Sequence, residues 1–310
     1  MKVLISDEFQ EDGIEIFKKN GLEVFKKFTI TKEELKNEIE SYDAIVVRSR
    51  TKLTADVLEN AKNLKVIGRA GAGLDNIDLK RAKELGIEVL NTPEAPAISV
   101  AELSLGLMFA LARNISIADR TMHQGQWNKS QYLGYTLKGK TLGLVGFGNI
   151  AKELARDAIA LGMKVSVYSR FSKGKPAIDE AKDIGCSIYS SIEDLLKNNQ
   201  IISLHLPSTP QTENIINEER IKLMRKDAII INTARGTLID EKALINALKN
   251  KDISGAALDV FREEPLKDQE LITCKDNLIL TPHIASQTIE NQIDAATLIA
   301  EKISKFLNKA

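Results

Sequence analysis

Only two cysteines, Cys186 and Cys274, occur in 310 residues, far apart and without Cys-x-x-Cys spacing, which argues against a disulfide framework and a thiolate metal site. Histidine is as scarce: His123, His205 and His283 are scattered rather than set at the close spacing of a metal-binding pair. Net charge is also lacking. Lys+Arg and Asp+Glu number 43 each, so no basic field exists to draw the chain onto nucleic acid or an anionic membrane. The most apolar stretch, Ile98 to Ala112, is short for a membrane span and contains Glu102. The first residues, Met1-Lys2-Val3-Leu4-Ile5-Ser6-Asp7, lack the apolar core of a signal peptide and read as a strand. Together these features predict a cytoplasmic protein with no metal, nucleic-acid partner or membrane.

What is present is a hydrophobic fraction of 43%, enough for two cores in a chain of this length, since domains usually hold roughly 100 to 200 residues. Short β-rich runs alternate with amphipathic helical segments, which predicts parallel α/β sheets. In the first part the runs are Val3 to Ser6, Ala44 to Val47, Val66 to Gly68 and Glu88 to Leu90. In the second they are Leu142 to Val145, Lys164 to Tyr168, Ile201 to Leu204, Ala228 to Asn232, Gly255 to Asp259 and Leu278 to Thr281. One long apolar helix, Ser99 to about His123, would carry the chain between two sheets and serve as hinge and dimer surface. An amphipathic helix over Thr288 to Leu307 would return to the first domain. The predicted domains are 1–98 with 287–310 and, between them, 99–286. The chain stops where that last helix ends, so no added regulatory domain is expected.

The most informative stretch is Thr141 to Ala151, a buried-strand pattern running into a Gly146-x-Gly148-x-x-Ala151 turn and then a helix. Each small residue has its own job in a dinucleotide-binding turn: Gly146 makes the turn, Gly148 admits a pyrophosphate to the backbone, and Ala151 keeps helix and strand close. The pyrophosphate would sit on N–H groups near Asn149 and Ile150, where the helix dipole favours an anion. After the next strand, NAD sites usually carry an acidic residue for the ribose hydroxyls. This chain has Ser169-Arg170, with Lys173 and Lys175 behind, which leans toward NADP because a 2′-phosphate would meet no carboxylate.

Ligands of open α/β sheets bind beyond the carboxyl ends of strands, and three polar segments follow strands: Asn232 to Gly236, Leu258 to Pro265 and Thr281 to Ser286. Hydride transfer to a 2-keto acid needs a cation for the carboxylate and carbonyl oxygen, and an acid for the developing alkoxide. Arg235 offers a planar fork for the first task. His283 suits the second, with Glu264 as a carboxylate to favour its charged form.

The Gly-Phe-Gly-Asn-Ile-Ala turn, Asn-Thr-Ala-Arg-Gly, Ala-Leu-Asp-Val-Phe with Glu-Glu-Pro, and Thr-Pro-His-Ile-Ala together resemble the D-isomer-specific 2-hydroxyacid dehydrogenases across essentially the whole chain. The resemblance implies two Rossmann-like or flavodoxin-like parallel-sheet domains with the active site in the cleft between them. It also implies an NAD(P)-dependent oxidoreductase in which Arg235 binds substrate, Glu264 modulates His283, and His283 is the acid/base. Asn149, Ile150, Ser169, Leu206, Thr233 and Asp259 would line the cofactor, Asp259 near the carboxamide, and the family leans toward NAD. A homodimer through the helix 99–123 is implied as well.

Val47-Arg48-Ser49-Arg50-Thr51 and Gly68 to Asp78 resemble most closely the branch of the family acting on 3-phosphoglycerate, at the first step of serine synthesis. By that resemblance the backbone around Ala72 and Gly73 would hold the substrate carboxylate, while Arg48 and Ser49 approach its tail. Arg48, Arg50, Arg69 or Lys129 would supply positive charge for a phosphate. Two positions depart from the branch: Pro93 to Ser99 lacks a Gly-Asn, and Ser169 stands in place of an acidic residue. Both keep a glyoxylate or hydroxypyruvate reductase as an alternative. A dinucleotide-sensing binding protein is the alternative of a different class, and it would call for disordered, modifiable tails.

Overall fold

The computed structural model describes residues 1–170, 174–275 and 277–309. It divides into two compact units, Met1–Pro96 with Ser286–Ala310, and Ala97–Ala285.

In the first unit, β1 (Lys2–Ile5), β2 (Glu23–Lys26), β3 (Ala44–Val47), β4 (Val66–Arg69) and β5 (Glu88–Asn91) form a parallel sheet in the order β2-β1-β3-β4-β5. They are linked by α1 (Glu11–Lys19), α2 (Lys32–Glu38), α3 (Ala55–Leu58) and α4 (Leu79–Glu84). Strand side chains alternate between two cores: Leu4, Ile45, Val47 and Ile67 face one, and Val3, Ile5, Val46 and Val66 the other. Both faces are covered, as the helical crossovers of a parallel sheet require. The C-terminal helix, Ile289–Leu307, closes the second core with Ala295, Ile299, Ala300 and Ile303. Gly68 permits that approach, because a Cβ there would lie 2.3 Å from the Ile303 Cδ1. The sequence reading had no β2. Its four residues carry charges at both ends and lie half-exposed at the sheet edge, so neither alternation nor a buried run marks them.

In the second unit, α5 (Ala97–Ala112) and α6 (Ile115–His123) precede a seven-stranded parallel sheet. Its elements in chain order are β6 (Thr141–Val145), α7 (Asn149–Ala160), β7 (Lys164–Tyr168), α8 (Lys175–Ile184), β8 (Ser187–Ile188), α9 (Ile192–Asn198) and β9 (Ile201–Leu204). There follow α10 (Glu218–Leu223), β10 (Ile229–Asn232), α11 (Glu241–Asn250), β11 (Gly255–Leu258), α12 (Gln269–Thr273) and β12 (Leu278–Leu280). The strand order is β12-β11-β10-β9-β6-β7-β8. The chain therefore leaves β6 toward β7 and later returns on the other side at β9. The carboxyl ends of β6 and β9 thus mark the topological switch point, where a doubly wound sheet opens a crevice for ligands.

The single helix expected from Ser99 to His123 is two helices, bent by 66°. The break comes at Asn114, whose φ of 55° is left-handed and cannot continue a right-handed helix. α5 is largely buried, with Ala101, Leu107, Met108 and Leu111 in the sheet's core, whereas α6 buries no residue. Among the described residues no single helix is long and apolar enough to cross a membrane. Both cysteines are unpaired, and burial pushes the Cys186 thiol up to about 11, which makes it inert.

Candidate active site

Of the residues proposed for a dinucleotide, Gly146, Gly148, Asn149, Ile150, Ser169, Arg170 and Leu206 follow the carboxyl ends of β6, β7 and β9, while Thr233 and Asp259 follow β10 and β11. Beyond β6, the Gly146 N–H donates to the Tyr168 carbonyl at 2.8 Å, and the His205 N–H donates to the Val145 carbonyl at 2.8 Å. These two bonds seat the glycine turn between the ends of β7 and β9, beside Ser169 on one flank and Leu206 on the other. Gly146 is required twice over: its φ is 105°, and a Cβ would lie 2.4 Å from the His205 carbonyl oxygen. Gly148 has open space where a Cβ would stand and leaves α7 without a side-chain N-cap. No serine or aspartate side chain caps the first turn of α7, which suits the approach of an anion there. Ala151 is fully buried against the sheet. Ser169 is half-buried and Arg170 exposed at the end of β7. Lys173 lies outside the described residues.

The same turn has a titrating neighbour that the sequence reading left without a role. The His205 ring bonds the Ser203 Oγ through Nε2 at 2.9 Å, while its Nδ1 is sealed from solvent with no partner among the described residues. Burial pushes its pKa down from 6.5 to about 4. The folded state thus holds the neutral ring, and below pH 6.5 the unfolded chain takes the proton first. The stability contributed above pH 6.5 is lost progressively as pH falls toward 4, by up to about 3 kcal/mol. Urea midpoints at pH 7.5 and pH 5 should differ less in His205→Gln than in the parent, and equal differences would remove His205 from this role.

The three catalytic candidates stand after β10, β11 and β12. His283 Nδ1 lies 2.7 Å from Glu264 Oε2, and the other carboxylate oxygen of Glu264 accepts the Phe261 N–H at 3.0 Å. An ionised carboxylate only accepts, so Nδ1 carries the hydrogen and Nε2 is left for proton exchange with a ligand. The two side chains are 47% and 37% exposed, open enough for such a ligand to reach them. His283 has a left-handed φ of 54°, and its N–H is tied to the Asp259 and Thr281 carbonyls at 2.8 and 3.0 Å.

Arg235 follows β10 in a turn shaped by buried Asn232, which donates to the Arg235 carbonyl at 2.9 Å and accepts from the Ala234 N–H at 3.1 Å. The Arg235 guanidinium donates to the Ala234 carbonyl at 2.6 Å. At Gly236 a Cβ would lie 1.9 Å from the Phe261 carbonyl carbon. The arginine turn therefore rests directly on the backbone that leads into Glu264. Thr233, expected along the cofactor, is buried with its hydroxyl 3.0 Å from the Ser104 hydroxyl of α5.

Asp259, expected to line the cofactor near a carboxamide, anchors the loop that carries His283. It is fully buried, with one oxygen accepting from the Thr281 hydroxyl (2.6 Å) and the Ile284 N–H (2.9 Å), the other from the Ala285 N–H (2.9 Å). Its carboxylate is spent on the loop that carries His283. Asn232, Ser104 and Thr281 are the residues the sequence reading gave no role; each follows or faces a strand end, and that position was their signal. Among the described residues no group of three or more His, Cys, Asp or Glu is placed to hold a metal ion.

In the first unit, Arg48 and Ser49 follow β3, and Ala72 and Gly73 follow β4. Among the described residues the N–H groups of Ala72 and Gly73 have no acceptor, while the Ala72 carbonyl is turned to the Asn91 amide at 2.7 Å. Arg48 is half-buried, and burial pulls its guanidinium below the usual arginine range against the charges of Asp7 and Glu8. Such a cation gains from an incoming anion. The Arg50 guanidinium turns back to the Ser6 and Ile30 carbonyls and to Asp7. Lys129 belongs to the second unit and lines a groove there.

Residues 105–285 match the family model described as D-isomer specific 2-hydroxyacid dehydrogenase, NAD binding domain. The chain belongs to the D-isomer-specific 2-hydroxyacid dehydrogenase family. Within this family it is 48% identical over 307 residues to the D-3-phosphoglycerate dehydrogenase of Methanocaldococcus jannaschii, covering 99% of the chain but 57% of that longer protein. It is 44% identical over 308 residues to the hydroxypyruvate reductase of Thermotoga maritima, covering 99% of the chain and 98% of that protein. Among solved structures, an acyclic imino acid reductase in complex with NADPH and D-Arg has a TM-score of 0.88 at 32% identity, over 100% of this chain and 98% of that one. The family thus accounts for the strand-end motifs, and a dinucleotide fits the turn at Gly146.

Proposed function

We propose that this chain is a dehydrogenase that interconverts D-2-hydroxy acids and 2-keto acids, its substrate pair being 3-phosphoglycerate and 3-phosphohydroxypyruvate. The observation that carries the reading is the His283–Glu264 pair at 2.7 Å, on the same carboxyl edge of the sheet as Arg235 and the glycine turn. In reduction, the Arg235 fork holds the carboxylate and carbonyl oxygen of the keto acid. His283 gives its Nε2 proton to that oxygen as negative charge develops, and Glu264 stabilises the ring's charged form from the Nδ1 side. Bound NAD or NADP supplies the hydride in this direction and takes it in the other. When the hydroxy acid is oxidised, His283 removes the hydroxyl proton. In the first unit, the N–H groups of Ala72 and Gly73 are the proposed donors to a substrate carboxylate, and Arg48 with Ser49 the proposed contacts to a tail.

A phosphorylated tail is supported by the name of the Methanocaldococcus relative and by half-buried Arg48. A hydroxypyruvate reductase is the second reading, favoured by the end-to-end match to the Thermotoga protein and by Ser169-Arg170. Steady-state reduction of phosphohydroxypyruvate, hydroxypyruvate and glyoxylate, each with NADH and NADPH, separates the two. The first reading predicts a kcat/KM advantage of tenfold or more for the phosphorylated acid; parity or a reversed order makes the second correct. Ser169→Asp should move the NADH/NADPH ratio of kcat/KM toward NADH by roughly tenfold, about 1.4 kcal/mol, and an unchanged ratio would count against Ser169-Arg170 as the discriminating pair.

The proposed assembly is a homodimer through the face of α5, α6 and the segment that follows. Phe109, Ile115, Met122, Trp127 and Leu133 are exposed there, and a groove of about 940 Å³ runs between Arg113, Trp127 and Tyr135. Exposed apolar area of this kind marks an interaction site. Two unpaired cysteines are in keeping with the reducing cytoplasm.

A further inference from the structure

Two polar side chains of the first unit, neither assigned a function above, hold the loop after β3 from opposite sides. Asp7, 4% exposed at the end of β1, accepts the Arg48 N–H at 2.5 Å and the Thr51 N–H at 3.2 Å on one oxygen. Its other oxygen accepts the Thr51 hydroxyl at 2.7 Å and lies 3.1 Å from the Arg50 guanidinium. Asn76, from the loop after β4, takes the carbonyl side. Its Nδ2 donates to the Arg48 carbonyl at 2.8 Å and to the Thr51 carbonyl at 2.7 Å. Its own backbone carbonyl accepts the Leu53 N–H at 2.8 Å, and the Leu53 carbonyl accepts the Asp78 N–H at 2.9 Å.

Segment 48–51 therefore has N–H groups fixed by a carboxylate and carbonyls fixed by an amide, with Ser49 left exposed between them. Of the two clamps, only Asn76 joins the loop carrying Arg48 to the loop carrying Ala72 and Gly73. An amide with two donors is the group this task needs, because both targets are acceptors. A loop fixed before the ligand arrives spares the ordering cost of binding.

We propose that Asn76 is a positioning residue that couples the tail-contacting segment 48–51 to the carboxylate-contacting segment 72–73, so that both ends of the substrate are read at one set spacing; this role rests on the dehydrogenase reading given above. Asn76 touches neither substrate nor cofactor. Its loss frees the carbonyls of Arg48 and Thr51 and lets the Arg48 guanidinium wander, which affects an acid with a tail far more than one without. The cofactor turn, in the other unit, has no part in it.

The test is steady-state kinetics of Asn76→Ala with two keto acids: glyoxylate, which has no tail, and whichever of phosphohydroxypyruvate or hydroxypyruvate the parent turns over better. KM for the tail-bearing acid should rise about tenfold or more, with kcat, KM for glyoxylate and NADH affinity each within about twofold. Asn76→Ser, which keeps one donor, should recover part of the KM and stands in as the test variant should the alanine variant fail to fold. Unchanged KM values overturn the inference while leaving the dehydrogenase reading in place. A parallel loss for both acids, or one accompanied by weaker NADH binding, also overturns it, since that pattern marks general structural damage. A parent protein that reduces no 2-keto acid overturns the reading, and the inference with it.

Discussion

His283→Ala is expected to lower kcat for 2-keto acid reduction by about 10²- to 10⁴-fold, the usual worth of a positioned general acid, with little change in NADH affinity or thermal stability. The ring is half-exposed and packs into no core, so its removal takes away chemistry and leaves the fold. Glu264→Gln should fall between the parent and the alanine variant. A glutamine can meet Nδ1 with its oxygen, yet it brings no charge to stabilise the imidazolium. Measured kcat values within threefold of the parent for His283→Ala would remove His283 from the proton-transfer step. Equal losses in kcat and NADH affinity would instead mark it as a structural residue of the loop.

Asp259→Ala should be the most destabilising single change near the site. It strands the Thr281 hydroxyl and the N–H groups of Ile284 and Ala285. Buried donors without acceptors cost about 1–3 kcal/mol each, and because the three share one loop a total of about 3–5 kcal/mol is expected. The same loop carries His283 at a left-handed φ, a conformation that persists only where the surroundings enforce it. Asp259→Ala should therefore lose activity beyond what unfolding accounts for, whereas Asp259→Asn, which keeps an acceptor, should lose less of both. Urea unfolding and kcat measured at a temperature where both variants are folded check this. Stability within 1 kcal/mol of the parent would show that the loop is held by something other than the buried carboxylate.

How much of this was legible in the sequence depends on where each residue's partners lie. The central strands were visible as continuous apolar runs, and Lys164–Tyr168 and Ile201–Leu204 fall at their expected bounds, because a parallel strand buried on both faces needs no other signal. The edge strands β2 and β8 were not visible; each is short, with polar or charged residues and one exposed side. The break at Asn114 was hidden because no glycine or proline stands there: an asparagine takes the left-handed φ of 55°. At the proposed site, Arg235, Glu264 and His283 stand out in the sequence because each follows a strand within a recognisable motif. Asp259 could be placed after its strand, but the donors of its own loop that surround it could not, since the motif shows that a carboxylate is there and not what it accepts from. Asp7 and Asn76 escaped altogether: their partners lie 25 to 44 residues away in sequence, and no local pattern records such a pairing.

The central claim, that Arg235 holds a D-2-hydroxy acid or its keto acid while His283, supported by Glu264, exchanges the proton that accompanies hydride transfer, is tested most directly by the configuration of the product. Phosphohydroxypyruvate and hydroxypyruvate are incubated with the protein and NADH or NADPH, and the hydroxy acid formed is resolved on a chiral column. D-glycerate or its 3-phosphate, formed by the parent and reduced at least a hundredfold in His283→Ala, is the predicted result. Formation of the L-acid, of a racemate, or of the D-acid at an equal rate by the variant would contradict the account.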